Sequence, residues 1–266
     1  MKQPLSGKQI LITRSEEQAK PFSEKLTKAG AIPLVAPLLT FQSRLSQQNQ
    51  EIFQQLHEYT WVFFTSANGV KFFFEQLNYW QVPLTVVDQL QVAVIGTKTE
   101  KMLNRYGISA DFCPRTFQGN HMVEEFLHKY SADQRILLVC GNLARKEIAN
   151  GLKQQQVFFR RVIVYDTLIN EQAKQSLQTY LVNENIDACT FTSPSTVQAF
   201  EELAGEHSRE INQLKQEALC VCIGTTTQKK AKQQGFKHIR TPDQFTIDGM
   251  LEELVNYFNK EGKVQQ

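Results

Sequence analysis

With 266 residues, 41% of them hydrophobic and 21% charged, the chain has the balance of a soluble globular protein able to fill one large domain or two smaller ones, of which two is the better match. A net charge of +2 without a basic run argues against a nucleic-acid partner, and no apolar run approaches a membrane span. The five cysteines, at 113, 140, 189, 220 and 222, lack a Cys-x-x-Cys spacing and read as buried, inert thiols rather than a metal or disulfide framework.

The opening segment, MKQPLSGKQILITR, lacks the apolar core of a secretory signal and enters a strand almost at once, so we expect a cytoplasmic protein. Ten short β-branched runs follow in order: QILITR, IPLVAP, WVFFTS, QVAVIG, ISADFCP, RILLVCG, VIVYDT, DACTFTS, ALCVCIG and KHIRTP. Amphipathic stretches separate them, so the pattern predicts βαβ units and parallel sheets covered on both faces, an α/β fold. Ser15 with Gln18 reads as a capping box after the first strand, and Ser193 caps a helix whose first residue is Pro194.

A repeat organises the chain further. Phe64, Thr65 and Ser66 return as Phe191, Thr192 and Ser193. At a single offset of 128, Ile95, Gly96, Thr97, Thr99, Lys101, Gly107, Pro114, Phe117, Met122, Glu124 and Glu125 return as Ile223, Gly224, Thr225, Thr227, Lys229, Gly235, Pro242, Phe245, Met250, Glu252 and Glu253. Chance would give roughly two such matches over that stretch. Weaker correspondence aligns QILITR with RILLVCG and the PLLT of 37–40 with the VYDT of 164–167. A tandem duplication giving two flavodoxin-like, five-stranded sheets is the economical reading. Periodicity does not decide whether the halves fold contiguously or exchange their opening elements, for which VAPLLTFQ and RVIVYDTL would be the crossovers.

Open parallel sheets bind ligands beyond the carboxyl ends of their strands, where helix N-termini present free N–H groups. Arg14, Thr65, Ser66, Gly96, Thr97, Cys140 to Asn142, Thr192, Ser193, Gly224 and Thr225 fall there, a set dominated by hydroxyls and glycines that suits an anionic ligand. Capping explains Thr97 and Thr225, each opening a capping-box pattern, and is the first role to assign to Ser66 and Ser193. Thr99 and Thr227, expected at the second helical position, stay open between solvated helix residues and ligand donors. Gly96 and Gly224 do not extend to G-x-G-x-x-G, no phosphate-loop motif occurs, and the histidines at 57, 121, 128, 207 and 238 have no metal spacing, so no cofactor or metal is indicated. Tyr165 falls in a candidate crossover strand rather than a sheet core, where packing and a functional phenol both remain open.

Taken together, ILITR, TFTSPSTVQAF, GNLAR, VYDT and IGTTTQKKAKQQG, with the VIGTKT and CIGTTT pair, resemble the uroporphyrinogen-III synthase family along nearly the whole chain. The resemblance implies two flavodoxin-like domains with exchanged halves: residues 1–36 with 170–266, and 43–162, joined by linker strands at 37–42 and 163–169, with the strand ends around one interdomain cleft. It implies cofactor-free cyclisation and dehydration of hydroxymethylbilane to uroporphyrinogen III, with inversion of the last ring through a spiro species. Tyr165 matches the family's candidate general acid. Substrate contacts carry over to Ser66, Thr99, Ser193, Ser195 and Thr227, to Asn142 and Arg145 of GNLAR, and to Arg14 on the bacterial pattern. Ala67-Asn68 stands where the second copy has Pro194-Ser195, so the donors differ on that side. The expected protein is a monomer in transient contact with the preceding pathway enzyme. Two rivals are a non-catalytic two-domain small-molecule binding protein and an α/β enzyme acting on nucleotides or sugar phosphates; the missing phosphate-loop motifs weigh against the second.

Overall fold

The structure is a computed structural model, and it describes residues 3–115, 119–205 and 208–264. Phe117 and His207 lie outside the described residues. The chain divides into two compact units, residues 1–40 with 168–266 and residues 41–167.

The first unit is built on one five-stranded sheet. Its strands are β1 (Gln9–Ile12), β2 (Ile32–Val35), β8 (Ala188–Phe191), β9 (Leu219–Cys222) and β10 (His238–Arg240), in the spatial order β10-β9-β8-β1-β2. Every neighbouring pair is parallel. Counted along the unit this is the 2-1-3-4-5 order of flavodoxin-like sheets, with its topological switch point between β1 and β8. The alternation of strand side chains divides the core: Leu11, Cys189, Phe191, Cys220 and Cys222 face one side, and Ile10, Ile12, Ala188, Leu219 and Val221 the other. Helices α7 (Ala173–Asn183), α8 (Pro194–Ala204) and α10 (Thr225–Gln233) supply Leu177, Phe200 and Ala231 to the first face. Helices α1 (Glu16–Lys28) and α11 (Ile247–Val264) supply Phe22 and Leu254 to the second. Helix α9 (Ser208–Glu217) completes the unit.

The second unit holds β3 (Leu39–Ser43), β4 (Trp61–Phe64), β5 (Gln91–Val94), β6 (Arg135–Gly141) and β7 (Phe158–Ile169) in the order β3-β7-β6-β4-β5. Its parallel pairs keep the register of the first sheet: Trp61 stands opposite Ile136 where Ala188 stands opposite Ile10. All four residues of β4, Trp-Val-Phe-Phe, are buried, because helices cover both faces of a parallel sheet. Trp61 and Phe63 meet Phe126 of α5 (Gly119–Lys129) at ring centroid distances of 4.9 Å. On the other face Phe64 meets Phe73 of α3 (Ala67–Tyr79) at 5.2 Å. Each such fully buried aromatic ring is worth roughly 1.5–3 kcal/mol. The remaining helices are α2 (Gln47–Gln54), α4 (Thr97–Asn104) and α6 (Glu147–Gln154). Among the described residues no helix is long and apolar enough to cross a membrane.

One strand expectation is corrected. Segment ISADFCP contributes only an isolated bridge, Phe112 to Ala93; beside it Asp111 accepts from Val92 N through its carboxylate and donates its own N–H to Val92 O. The tenth strand is instead β3, inside the segment singled out as a crossover. Bonds from Asn170 N to Leu38 O and from Arg44 N to Val164 O show one strand rising as the other falls, so β3 runs antiparallel to β7. Both crossings between the units are made in these two strands. Among the cysteines, Cys113 is exposed rather than buried. Cys220 and Cys222 share a strand face with sulfurs 3.7 Å apart, and no metal-holding cluster of His, Cys, Asp or Glu occurs among the described residues.

Candidate functional site

In the second unit the switch point lies between β6 and β4. The chain leaving β6 does not turn directly into a helix but runs through Asn142, Leu143, Ala144 and Arg145 before α6. In the first unit the equivalent β1 passes through Thr13 and Arg14 straight to Ser15 and α1. The wider loop opens a cavity of about 350 Å³ at the carboxyl ends of four strands, lined by Ser66, Ile95, Leu143, Arg145, Ile148 and Tyr165 among others.

Tyr165 enters this cavity because β7 is bulged. Cys140 pairs with Ile163 but Gly141 pairs with Tyr165, so Val164 is the extra residue. Successive strand residues should face opposite sides, yet Val164 and Tyr165 lie in the same core cluster. Bulges of this kind re-aim side chains. The ring is only 9% exposed, stacked on Phe72 at 5.2 Å and edge-on to Phe41 at 5.9 Å. It lies over Gly141, where a Cβ would come 2.7 Å from Cε2 and 2.8 Å from the phenol oxygen. Sequence placed Tyr165 away from a sheet core; the structure packs it into one, and its hydroxyl still reaches the cavity.

The hydroxyl lies 3.2 Å from Ser66 Oγ. Ser66 is the N-cap of α3 and accepts from Gly69 N at 3.0 Å, so one side chain serves both helix and phenol. Burial pushes the Tyr165 phenol above its ordinary value, opposed by the hydrogen bond with Ser66. Asn142 does not line the cavity but fixes its edge: its Oδ1 accepts from Thr167 N at 2.8 Å, and its own N–H donates to Tyr165 O at 3.1 Å. Arg145 is exposed, 3.9 Å from Glu147, and both line the cavity. An ion pair that open is worth little, so an incoming anion can compete for the guanidinium.

In the first unit, Ser193 caps α8 by accepting from Thr196 N at 3.2 Å, and Thr196 Oγ1 accepts from Ser193 N at 3.2 Å, completing a capping box. Ser195 Oγ lies 2.9 Å from Ser193 Oγ. Arg14 reaches Gln18 Oε1 at 2.9 Å through Nη2. Its Nε is buried without a partner among the described residues, and burial draws its pKa below the ordinary arginine value. Gln18 is thereby engaged, and Ser15, although the N-cap of α1, makes no side-chain cap bond, so the expected Ser15–Gln18 box does not form.

The threonine capping boxes are corrected as well. Extended backbone at Gly96 and Gly224 makes these glycines the N-caps of α4 and α10, neither with a side-chain cap bond. Thr97 and Thr225 are therefore the first helical residues, and Thr99 and Thr227 the third rather than the second. Both of the latter are largely buried, at 6% and 3% exposure, and neither hydroxyl is among the buried unpaired atoms. Thr99 does not line the Tyr165 cavity.

Residues not singled out in the sequence complete the site. Phe72 supports the Tyr165 ring. Gln76, fully buried on α3, donates to Val164 O at 2.7 Å, and Asn49 of α2 donates to Ile163 O at 2.9 Å. The available signal for Gln76 was an amide within the apolar stripe of α3, in the company of Val70, Phe73 and Leu77.

The comparisons with known proteins point one way. A family model described as uroporphyrinogen-III synthase HemD matches residues 20–252. The chain is 29% identical over 258 residues to the porphyrin biosynthesis protein HemD of Ruminiclostridium josui, covering 96% of this chain but 49% of that protein, so it spans about half of that relative's length. It is 28% identical over 202 residues, 76% of each protein, to the uroporphyrinogen-III synthase of Synechococcus elongatus. Among solved structures, a mutant uroporphyrinogen III synthase from the extremely thermophilic bacterium Thermus thermophilus matches with a TM-score of 0.65 at 15% identity, over 96% of this chain and all of that one, a likeness of fold.

Proposed function

The chain belongs to the uroporphyrinogen-III synthase family, and on that premise we propose that it cyclises and dehydrates hydroxymethylbilane to uroporphyrinogen III, inverting the last pyrrole ring through a spiro intermediate. It works as a cytoplasmic monomer without a cofactor, receiving its substrate from the preceding pathway enzyme. The observation that carries the mechanism is the phenol of Tyr165, bulged into the cavity and hydrogen-bonded to Ser66. A phenol whose pKa burial has raised stays protonated at neutral pH and can donate to the departing hydroxyl as it leaves as water. Departure generates an azafulvene. The substituted carbon of the last ring attacks it to give the spiro species, which reopens and closes inverted. Holding the chain folded for that attack is the larger part of the task, because intramolecular positioning alone is worth many orders of magnitude in rate.

The substrate carries eight carboxylates. Arg145 and Ser66 at the cavity, Thr99 at α4, and Arg14, Ser193, Ser195 and Thr227 in the first unit are the donors that meet them, alongside the N–H groups opening α3, α4, α8 and α10. Asn142 acts through the loop it fixes rather than by direct contact. The matching strand registers of the two sheets support descent from a tandem duplication whose halves exchanged their opening elements.

The test supplies freshly generated hydroxymethylbilane and separates the oxidised porphyrin isomers. Isomer III in excess of the spontaneous reaction is expected; isomer I alone overturns the assignment. Tyr165→Phe is expected to slow isomer III formation by about 10²- to 10⁴-fold. Unchanged turnover removes Tyr165 as the acid and leaves electrostatics and positioning to account for the rate.

A further inference from the structure

Beside the bulge that aims Tyr165, two buried amides bond backbone carbonyls of β7, one of which, Val164 O, also accepts from Arg44 N at 3.0 Å. Gln76 is fully buried, and its Nε2 donates to Val164 O at 2.7 Å, Arg44 O at 3.1 Å and Ser43 Oγ at 3.2 Å. Asn49, 4% exposed, donates through Nδ2 to Arg44 O at 2.8 Å, Ile163 O at 2.9 Å and Gln76 Oε1 at 3.1 Å. Amides buried among Phe53, Phe73 and Leu77 are costly unless paired, and an apolar side chain would fill the same space. Their partners include the backbone of the two residues preceding Tyr165 and of Arg44, which follows β3. Gln76 also lies one helical turn beyond Phe72, which stacks on the phenol ring, and Ser66, which bonds the phenol, caps the same helix. One helix thus grips Tyr165 by its hydroxyl, its ring and the backbone just before it.

We propose that Gln76, held by Asn49, is a positioning residue for the reaction: its amide pins the β7 bulge at Val164 and so fixes the phenol of Tyr165 over Gly141. The inference rests on the reading of Tyr165 as the proton donor. It adds that the donor's placement depends on a polar contact made by the carbonyl one residue earlier.

Two measurements test it. In protein carrying ring-¹³C tyrosine, the Tyr165 signal is the one absent from the Tyr165→Phe variant. Gln76→Met, which keeps the volume and removes the donor, is expected to shift or broaden that signal while leaving Tyr59 in place. Kinetically, Gln76→Met is expected to lower kcat about tenfold with KM within about twofold, and to cost less than about twofold in the Tyr165→Phe background. An unmoved Tyr165 signal, or the same loss of kcat in both backgrounds, overturns the proposal. Full turnover by Tyr165→Phe alone overturns the donor reading instead, and the spectrum still decides whether Gln76 sets the ring. Asn49→Ser, which weakens the same clamp from α2, carries both comparisons if Gln76→Met does not fold.

Discussion

Gly141 lies directly beneath the ring of Tyr165, so near that no β-carbon fits between strand and phenol. The glycine adopts no left-handed conformation and is required here for proximity alone. Gly141→Ala must displace the ring, and a displacement of about 1 Å at a reacting group can cost about 10²-fold. A fall of that order in isomer III formation, with a folded protein by circular dichroism, is the expected outcome.

Ser66 and Ser193 are matched caps, yet only Ser66 touches the phenol. Replacing either with alanine should cost about 1 kcal/mol in urea unfolding. Turnover should separate them, with Ser66→Ala lowering kcat and Ser193→Ala acting on KM.

Thr99 and Thr227 are largely buried residues whose hydroxyls are not among the buried unpaired atoms. Valine at either position should change stability by less than about 0.5 kcal/mol, since the hydroxyl it removes is not a buried unpaired group. If the hydroxyls are substrate donors, KM should rise by about tenfold, the worth of one charge-assisted hydrogen bond.

Burial raises the Tyr165 pKa, so the folded state favours the protonated phenol. The stability associated with that protonation is complete below the unfolded tyrosine value of about 10 and is lost as pH rises through the higher folded value. The alkaline fall in kcat should therefore lie above a pH of about 10. Beyond that point, native stability should decline more steeply than in Tyr165→Phe, measured by unfolding midpoints across the range.

Nine of the ten strand runs are visible in the sequence because buried parallel strands are continuous apolar runs, as WVFF and ACTF show. ISADFCP also mixes β-branched and aromatic residues, but it pairs only through one bridge, and the number of ladder bonds a short run makes is set by tertiary contact. The threonine caps slipped by one residue because Gly96 and Gly224 take extended backbone, and a Thr at either of two successive positions satisfies the same sequence pattern. Ser66, Arg145 and Tyr165 were named from motifs, and the structure brings them to one cavity. The Gln76–Asn49 clamp was not legible, since partners 27 and 114 positions apart leave no spacing to recognise.

The order in which the first sheet is completed carries a consequence for synthesis. Strand β1 is central, between β2 and β8, but β8 begins only at Ala188, after the whole of the second unit. On a ribosome adding about 5–20 residues per second, β1 waits roughly 9–35 s for that neighbour, with one edge of its four residues unpaired. The inserted unit, continuous in the chain, has its strands complete before the discontinuous first unit does. Newly made protein therefore passes through a stage in which the half that holds Tyr165 can be native while the other half is the exposed, aggregation-prone one.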